Sequence, residues 1–186
     1  MNEVTVRMLP VSLETNRMQL RFLKMNDLPT IHRQFSDPEM CAYFSEPPCS
    51  LQEAEDIIRH YQEPEGKGYL RYGMFDKING VFIGTCGYHY WDPLRKQVEI
   101  GYDVWKDFWR KGYVSEVLPE LIRICFDYLQ AECIYILTHP QNKASIASVR
   151  KFGFTETPPR RATEQNELCM TLMRQDSHYG CGRLFL

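Results

Sequence analysis

The chain has 186 residues, 44% of them hydrophobic and 25% charged, which is the balance of one folded domain and not of a disordered chain. Its formal net charge of −2 gives no reason to expect nucleic acid or an anionic membrane as partner. No stretch approaches the ~20 apolar residues of a membrane span, so a soluble protein is expected.

In chain order, residues 18–23 (MQLRFL) alternate apolar and polar positions as a half-buried strand does. Asn26 and Asp27 then precede Leu28, Ile31 and Phe35, a short amphipathic helix with its cap residues in front. The run 44–49 breaks the pattern, and Ser50 with Glu53 predicts a capping box for a helix over 51–61. Strands are expected at 69–76, 81–91 and 97–104, with Asn79-Gly80 as a tight hairpin turn between the first two. From Gly112 the period changes. Val114, Val117, Leu118, Leu121, Cys125 and Tyr128 fall at helical spacing, although Pro119 should kink that helix. Residues 133–138 (CIYILT) predict a strand buried on both faces. Pro140 and Asn142 introduce a helix carrying Ile146, Val149 and Phe152, closed by Gly153. Two last strands are expected at 154–157 and 168–173, joined by the polar loop 158–167. The outcome is an α+β fold, a mixed sheet with helices on its faces.

Seven cysteines (41, 49, 86, 125, 133, 169 and 181) lie scattered without any C-x-x-C pair. An odd count without framework spacing, and no leader-like opening, points to reduced thiols in the cytoplasm and no zinc site. No repeat or linker divides the chain, so a single domain over 1–186 is expected.

The most informative stretch is Glu99 to Glu116, EIGYDVWKDFWRKGYVSE. It runs from a strand through a turn of about seven residues into the first turn of a helix. Unpaired amides at a helix start, with the macrodipole, form an anion site. Gly112 would let an anion approach the backbone, and Arg110 and Lys111 add charge. The alternative is a plain turn glycine beside two solvated cations. The run is not a P-loop, because G-x-x-x-x-G-K-[ST] is missing.

Three blocks carry a family resemblance: Thr15-Asn16-Arg17-Met18-Gln19-Leu20-Arg21; Glu99-Ile100-Gly101-Tyr102 followed by Phe108-Trp109-Arg110-Lys111-Gly112-Tyr113-Val114-Ser115-Glu116; and Asn142-Lys143-Ala144-Ser145 with Gly153-Phe154. In matching order over residues 14–174 they resemble the GNAT acetyltransferases, and most of all the RimJ/RimL-like branch that acetylates ribosomal-protein N-termini. The chain departs from the broad superfamily at Trp109, where Arg or Gln is usual, although this branch often has Trp. It departs again at Val114, where Gly or Ala is usual and a larger side chain narrows the room beside a pyrophosphate.

The resemblance implies a mostly antiparallel twisted sheet of about seven strands, splayed between the fourth and fifth, with helices on both faces. It implies acetyl-CoA as cosubstrate, no metal, and an amine acceptor that is a small molecule or a protein N-terminus, attacked directly in a ternary complex. Backbone groups of Tyr102, Asp103 and Val104 would pair with the pantetheine arm. The amides of Arg110, Lys111, Gly112, Tyr113, Val114 and Ser115, next to Trp109, would hold the pyrophosphate. An amide near Asp103 or Val104 would polarise the thioester carbonyl.

By the same resemblance Glu99 is the first candidate for general base. Its alternative is an exposed strand carboxylate, and Tyr88, His89 or water could serve instead. Ser145 would protonate the leaving thiolate, and Asn142 would contact the coenzyme, although both also suit a helix start. Tyr113 is a core aromatic or a coenzyme contact. Loops 44–50 and 158–167, with Glu46, Arg160 and Arg161, would shape the acceptor groove. In the tail 175–186, Tyr179, Leu184, Phe185 and Leu186 would pack on the domain or on a second subunit in a homodimer. A catalytically inactive acyl-CoA-binding regulator is the alternative function, and Val114 is the feature that favours it. A covalent cysteine intermediate is not expected, because no cysteine falls in the matched blocks.

Overall fold

The computed structural model describes residues 9–43, 47–62, 67–158 and 167–177. Glu46, Arg160, Arg161, Cys181, Tyr179, Leu184, Phe185 and Leu186 lie outside the described residues. Eight strands form one sheet: β1 (Ser12–Glu14), β2 (Met18–Phe22), β3 (Leu70–Asp76), β4 (Phe82–Asp92), β5 (Gln97–Val104), β6 (Cys133–Thr138), β7 (Thr155–Thr157) and β8 (Leu168–Met173). Their spatial order is β1-β2-β3-β4-β5-β6-β8-β7, and every neighbouring pair is antiparallel except β5 with β6. The strand beyond the expected seven is β1, a three-residue edge piece paired with β2. It is too short to show an alternation in sequence.

Helices α1 (Leu28–Ser36) and α2 (Leu51–Tyr61) cover one face, and α3 (Tyr113–Arg123) and α4 (Lys143–Arg150) the other. The two-residue period of the strands divides the core between them. Phe75 and Phe82 point to Ile31 of α1 and to Ala54 and Ile58 of α2. Their neighbours Met74 and Ile83 point instead to the cluster holding Val117, Leu118 and Leu121 of α3 and Val149 of α4.

Local signals decide most helix ends. Ser50 and Glu53 form the expected capping box: the Glu53 amide donates to Ser50 Oγ at 3.3 Å and the Ser50 amide to Glu53 Oε2 at 2.7 Å. Gly153 follows α4 with φ 88°, and its amide donates to the Arg150 carbonyl at 3.1 Å.

Two local expectations need correction. Asp27 does not cap α1 with its side chain. Its carboxylate takes two hydrogen bonds from Arg21 and one from the Lys24 amide, closing a 3-10 turn at Met25–Asp27. The β3–β4 connection is wider than a two-residue hairpin. Asp76 accepts from the amides of Ile78 and Asn79, Gly80 takes φ 69°, and the Asp76 amide reaches the Val81 carbonyl at 2.8 Å. Helix α3 continues through Pro119, and a π turn follows it at Ile124–Tyr128, closed by Leu129 N to Ile124 O at 3.2 Å.

The expected splay is present between β5 and β6. Their parallel pairing covers only Gln97↔Cys133, Val98↔Ile134 and Glu99↔Tyr135, although β5 runs on to Val104 and β6 to Thr138. Which backbone groups this uncovers follows from the other edge of β5. Trp105 N donates to Ile83 O at 2.7 Å, so odd-numbered residues of β5 turn their amides and carbonyls to β4. The Ile100 amide is used in the last pairing, Glu99↔Tyr135, so the groups turned into the gap are the Ile100 carbonyl and those of the even-numbered Tyr102 and Val104.

Gly87 holds β3 and β4 together at the centre of the sheet, since a Cβ there would lie 1.8 Å from the Leu70 carbonyl oxygen. Gly87→Ala should destabilise the fold by about 1–3 kcal/mol, as overpacking does. The check is denaturant unfolding, with Gly101→Ala as comparison, because the nearest neighbour of a Cβ at that position is His89 Nε2 at 3.9 Å.

Candidate active site

The turn between β5 and α3 folds into a small cradle of amides. A 3-10 turn at Lys106–Phe108 uses the amides of Phe108 and Trp109, which donate to Trp105 O and Lys106 O. Arg110 then takes φ 61° and Gly112 φ 83°, both in the left-handed region. Such a sequence of conformations makes successive N–H groups converge into an anion-binding concavity. Among the described residues no acceptor takes the amides of Arg110, Lys111, Gly112, Tyr113 or Val114. The sixth expected donor is already engaged, since Ser115 N reaches Gly112 O at 3.1 Å.

Side chains at this corner divide into support and lining. Tyr113 is a core residue: it is buried and meets Phe108 edge-on at 5.6 Å, so only its amide faces the cradle. Val114 is partly buried and packs on the core cluster. Trp109 stays partly exposed and donates from its indole Nε1 to the Val104 carbonyl at 2.6 Å. That carbonyl is thereby taken, while the Val104 amide stays turned to the splay.

The corner is held by a residue about a hundred positions away. Arg17 donates from Nη2 to the Lys111 carbonyl at 2.9 Å, stacks over the Tyr113 ring at 4.1 Å, and pairs through Nε with Glu116 Oε1. Glu116 Oε2 also accepts from the Arg17 amide at 3.1 Å and from Thr15 Oγ1 at 3.0 Å. Burial pushes the Glu116 carboxyl up, and the bonds from Arg17 and Thr15 more than reverse it, leaving it below its ordinary value. Thr15 and Arg17 stood in the sequence as one block and Lys111 to Glu116 as another. Their meeting gives both blocks a common purpose that neither shows alone.

On the α3/α4 side of the splay, Tyr102 reaches across to α4. Its hydroxyl lies 3.0 Å from Ser145 Oγ, and burial raises the phenol to about 12, so it keeps its proton. Asn142 caps α4, its Oδ1 accepting from the Ser145 amide at 3.1 Å, which leaves its NH2 group as the part able to meet a ligand. The sequence pointed to the backbone of Tyr102; its side chain was missed.

On the α1/α2 side, Glu99 stands half-buried at the last paired position before the gap. His89 is its cross-strand partner on β4. Tyr88 lies on the opposite face, fully buried in the α3-side core with its phenol raised by burial, so it does not face the same space. The Asp103 carboxylate, expected to matter only through its backbone, pairs with Arg71 at 3.1 Å and accepts from Thr85 Oγ1 at 3.3 Å. Its amide belongs to the β4 edge, so of the two oxyanion donors expected, Asp103 and Val104, only Val104 looks into the gap. Nearby, Tyr43 in the turn after α1 meets His139 at the end of β6, with ring centroids 5.6 Å apart, which brings the α1–α2 connection to the mouth of the splay.

Residues 17–155 match the acetyltransferase (GNAT) domain family. The chain is 30% identical over 145 residues to "Uncharacterized N-acetyltransferase p20" of Bacillus licheniformis, covering 77% of this chain and 82% of that protein. It is 32% identical over 152 residues to "Uncharacterized N-acetyltransferase YoaA" of Bacillus subtilis, covering 79% and 84%. The fold superposes on the crystal structure of spermidine N-acetyltransferase from Vibrio cholerae in complex with CoA and spermine, with a TM-score of 0.74 at 18% identity over 86% of this chain and 97% of that one.

The lowered Glu116 carboxyl has a signed consequence. Its contribution to stability is fully present above the ordinary value of 4.5 and is lost as pH falls through the lower folded value. Glu116→Gln should therefore lower the melting temperature at neutral pH yet narrow its gap to wild type as the pH drops below about 4.5. Melting curves from neutral to acid pH decide this; a gap that stays constant would remove Glu116 as a pH-linked clamp.

Proposed function

Since the chain belongs to the GNAT acetyltransferase family, we propose that it transfers an acetyl group from acetyl-CoA to a primary amine, by direct attack in a ternary complex. The observation that carries this reading is the run of five consecutive amides, Arg110 to Val114, with no acceptor among the described residues, next to an uncovered strand edge. A diphosphate fits the first, and an extended amide-bearing arm fits the second.

In this reading the amides of Arg110, Lys111, Gly112, Tyr113 and Val114 hold the pyrophosphate, with Arg110 and Lys111 adding charge and Trp109 flanking them. The Tyr102 carbonyl and the Val104 amide pair with the pantetheine arm along β5. The cosubstrate supplies the activated acyl group as a thioester; the remaining work falls to the protein's own groups.

Glu99 and Val104 are five residues apart, about 16 Å along an extended strand, too far for base and oxyanion donor to serve one carbon. The Tyr102 amide lies on the same open edge but closer to Glu99. It is therefore assigned to the carbonyl oxygen as it gains charge, in place of Asp103 or Val104. Glu99 accepts the proton that the attacking amine gives up. Ser145 donates to the departing sulfur, and the Tyr102 phenol at 3.0 Å can resupply it. Asn142 fixes the first turn of α4 that carries Ser145 and offers its NH2 to the coenzyme.

The acceptor is an amine on a protein N-terminus, as in the RimJ/RimL-like branch, or on a small molecule. An α-amine with pKa near 7.7–8.0 is unprotonated far more often at neutral pH than a lysine amine near 10.4, so the demand on Glu99 is graded by acceptor. Release of free thiol across a panel of peptides, polyamines and amino acids identifies the class; no release with any amine, at full coenzyme binding, would refute the enzymatic reading.

Two variants test the site. Gly112→Ala adds only backbone strain at φ 83°, whereas Gly112→Glu adds a negative charge at the amide cradle. Coenzyme A should bind Gly112→Glu at least about tenfold more weakly than Gly112→Ala, a difference of ~1.4 kcal/mol by titration calorimetry. Glu99→Gln should lower kcat on the order of a hundredfold with coenzyme affinity unchanged. Equal turnover across pH in that variant would remove Glu99 as base.

A further inference from the structure

Beside Glu99 lies a buried polar network built from rows of facing residues on the α1/α2 side of the sheet. One row is Gly73, Thr85 and Asp103; the next is Arg71, Gly87 and Gly101; the third sets His89 against Glu99. The middle row carries two glycines, and the Arg71 guanidinium makes use of the space. Its Nη1 donates to Thr85 Oγ1 at 2.9 Å and to Asp103 Oδ2 at 3.1 Å, and its Nη2 meets His89 Nε2 at 3.2 Å. The ring of His89 leans over Gly101, where a Cβ would lie 3.9 Å from Nε2. Phe35 of α1 and Tyr61 of α2 cover the guanidinium at 5.6 and 5.4 Å.

These contacts fix the imidazole's protonation. A guanidinium has donors only, so His89 Nε2 must accept and carries no proton. The ring proton is then on Nδ1, which donates to Tyr61 Oη at 3.0 Å. A second proton would set N–H against N–H and positive charge against positive charge. Around the ring stand Arg71 from β3, Tyr69 just before it, His60 and Tyr61 from α2, Tyr90 from β4 itself, and Glu99 and Asp103 from β5. Asp103 is paired with Arg71, both side chains being less than a fifth exposed. Burial first, then Arg71 and His60, pull His89 down to about 3, in agreement with the geometry.

We propose that Arg71 is a positioning residue for proton removal: by occupying His89 Nε2 it keeps that ring neutral, so the cross-strand neighbour of Glu99 carries no charge. The proposal rests on Glu99 as the base. An imidazolium in that place would stabilise the Glu99 carboxylate, weaken it as a proton acceptor, and repel an ammonium acceptor from the same space. A neutral ring does neither. The charge of the guanidinium is met by Asp103.

Nitrogen-detected NMR of the imidazole in the full chain reads the first half of the proposal. His89 should be the Nδ1–H tautomer and should not titrate between about pH 5 and 8, where an ordinary histidine does. The second half is read in Arg71→Met/Asp103→Asn, which removes both charges together so that neither is left buried alone. There His89 should take up its proton at a higher pH than in wild type, although burial still holds it below an ordinary histidine, and kcat/KM should fall on the order of tenfold relative to wild type where the ring is protonated. Adding His89→Gln in that background should abolish the extra limb.

If the double variant fails to fold, Tyr61→Phe keeps Arg71 on Nε2, and His89 should still not titrate. An Nε2–H tautomer in wild type, titration in Tyr61→Phe, or a double variant whose pH profile parallels wild type overturns the proposal. Full turnover by Glu99→Gln overturns it by a separate route, through its premise, and leaves the tautomer result standing.

Discussion

Two parallel strands that begin paired and then part company are costly, because each uncovered amide and carbonyl loses a partner inside the protein. β5 and β6 do this after Glu99 and Tyr135. The candidate site lies along the resulting wedge. Glu99 marks its vertex, and the even-numbered backbone groups of β5 line one wall. Tyr102 and Ser145 span it on the α3/α4 side, and the amide cradle of Arg110 to Val114 stands at its open end. The odd-numbered groups of β5 remain bonded to β4, so the strand keeps its place in the sheet while presenting its other edge. A wedge of this kind suits an extended ligand that brings its own amides.

The faces of the sheet then separate two tasks. The α3/α4 side carries the residues that would manage a coenzyme and its sulfur: the cradle, Tyr102, Ser145 and Asn142. The α1/α2 side carries Glu99, His89, Arg71 and Asp103, with aromatic cover from Phe35 and Tyr61. Because side chains alternate across a strand, consecutive residues of β5 serve both sides, and the reacting atoms would meet where the wedge lets the two faces communicate. The C-terminal part of the Glu99–Glu116 stretch, turned back by a short 3-10 turn, supplies the cradle from the same continuous segment.

What could be read in the sequence was whatever is encoded locally. The Ser50–Glu53 box, the Asn142 cap, the Gly153 terminator and the alternation of the long strands each depend on residues a few positions apart. The register of the sheet does not, and the networks that depend on register were invisible. Arg71 sits in LRYGMFD as an ordinary polar position of a half-buried strand. Only the strand order shows that Gly87 and Gly101 stand beside it and that Asp103 lies within reach. Asp27 and the 76–81 turn were misread for the opposite reason: their carboxylates had several local amides and cations to choose from. Ser115 and the Val104 carbonyl illustrate a third case, in which a group expected to serve a ligand is already engaged by the fold itself.

The clamp of Thr15 and Arg17 on Glu116 joins positions 101 and 99 residues apart. Closing so long a loop is slow compared with forming the helix it stabilises. The Arg110–Val114 corner is thus among the last parts of the molecule to form, since it waits for the amino-terminal edge to dock. A chain caught midway, with α3 formed and its leading strand still loose, would have the amides but not the brace. Ligand capture would in this way report on completed assembly, and occupancy would in turn favour the docked edge by mass action.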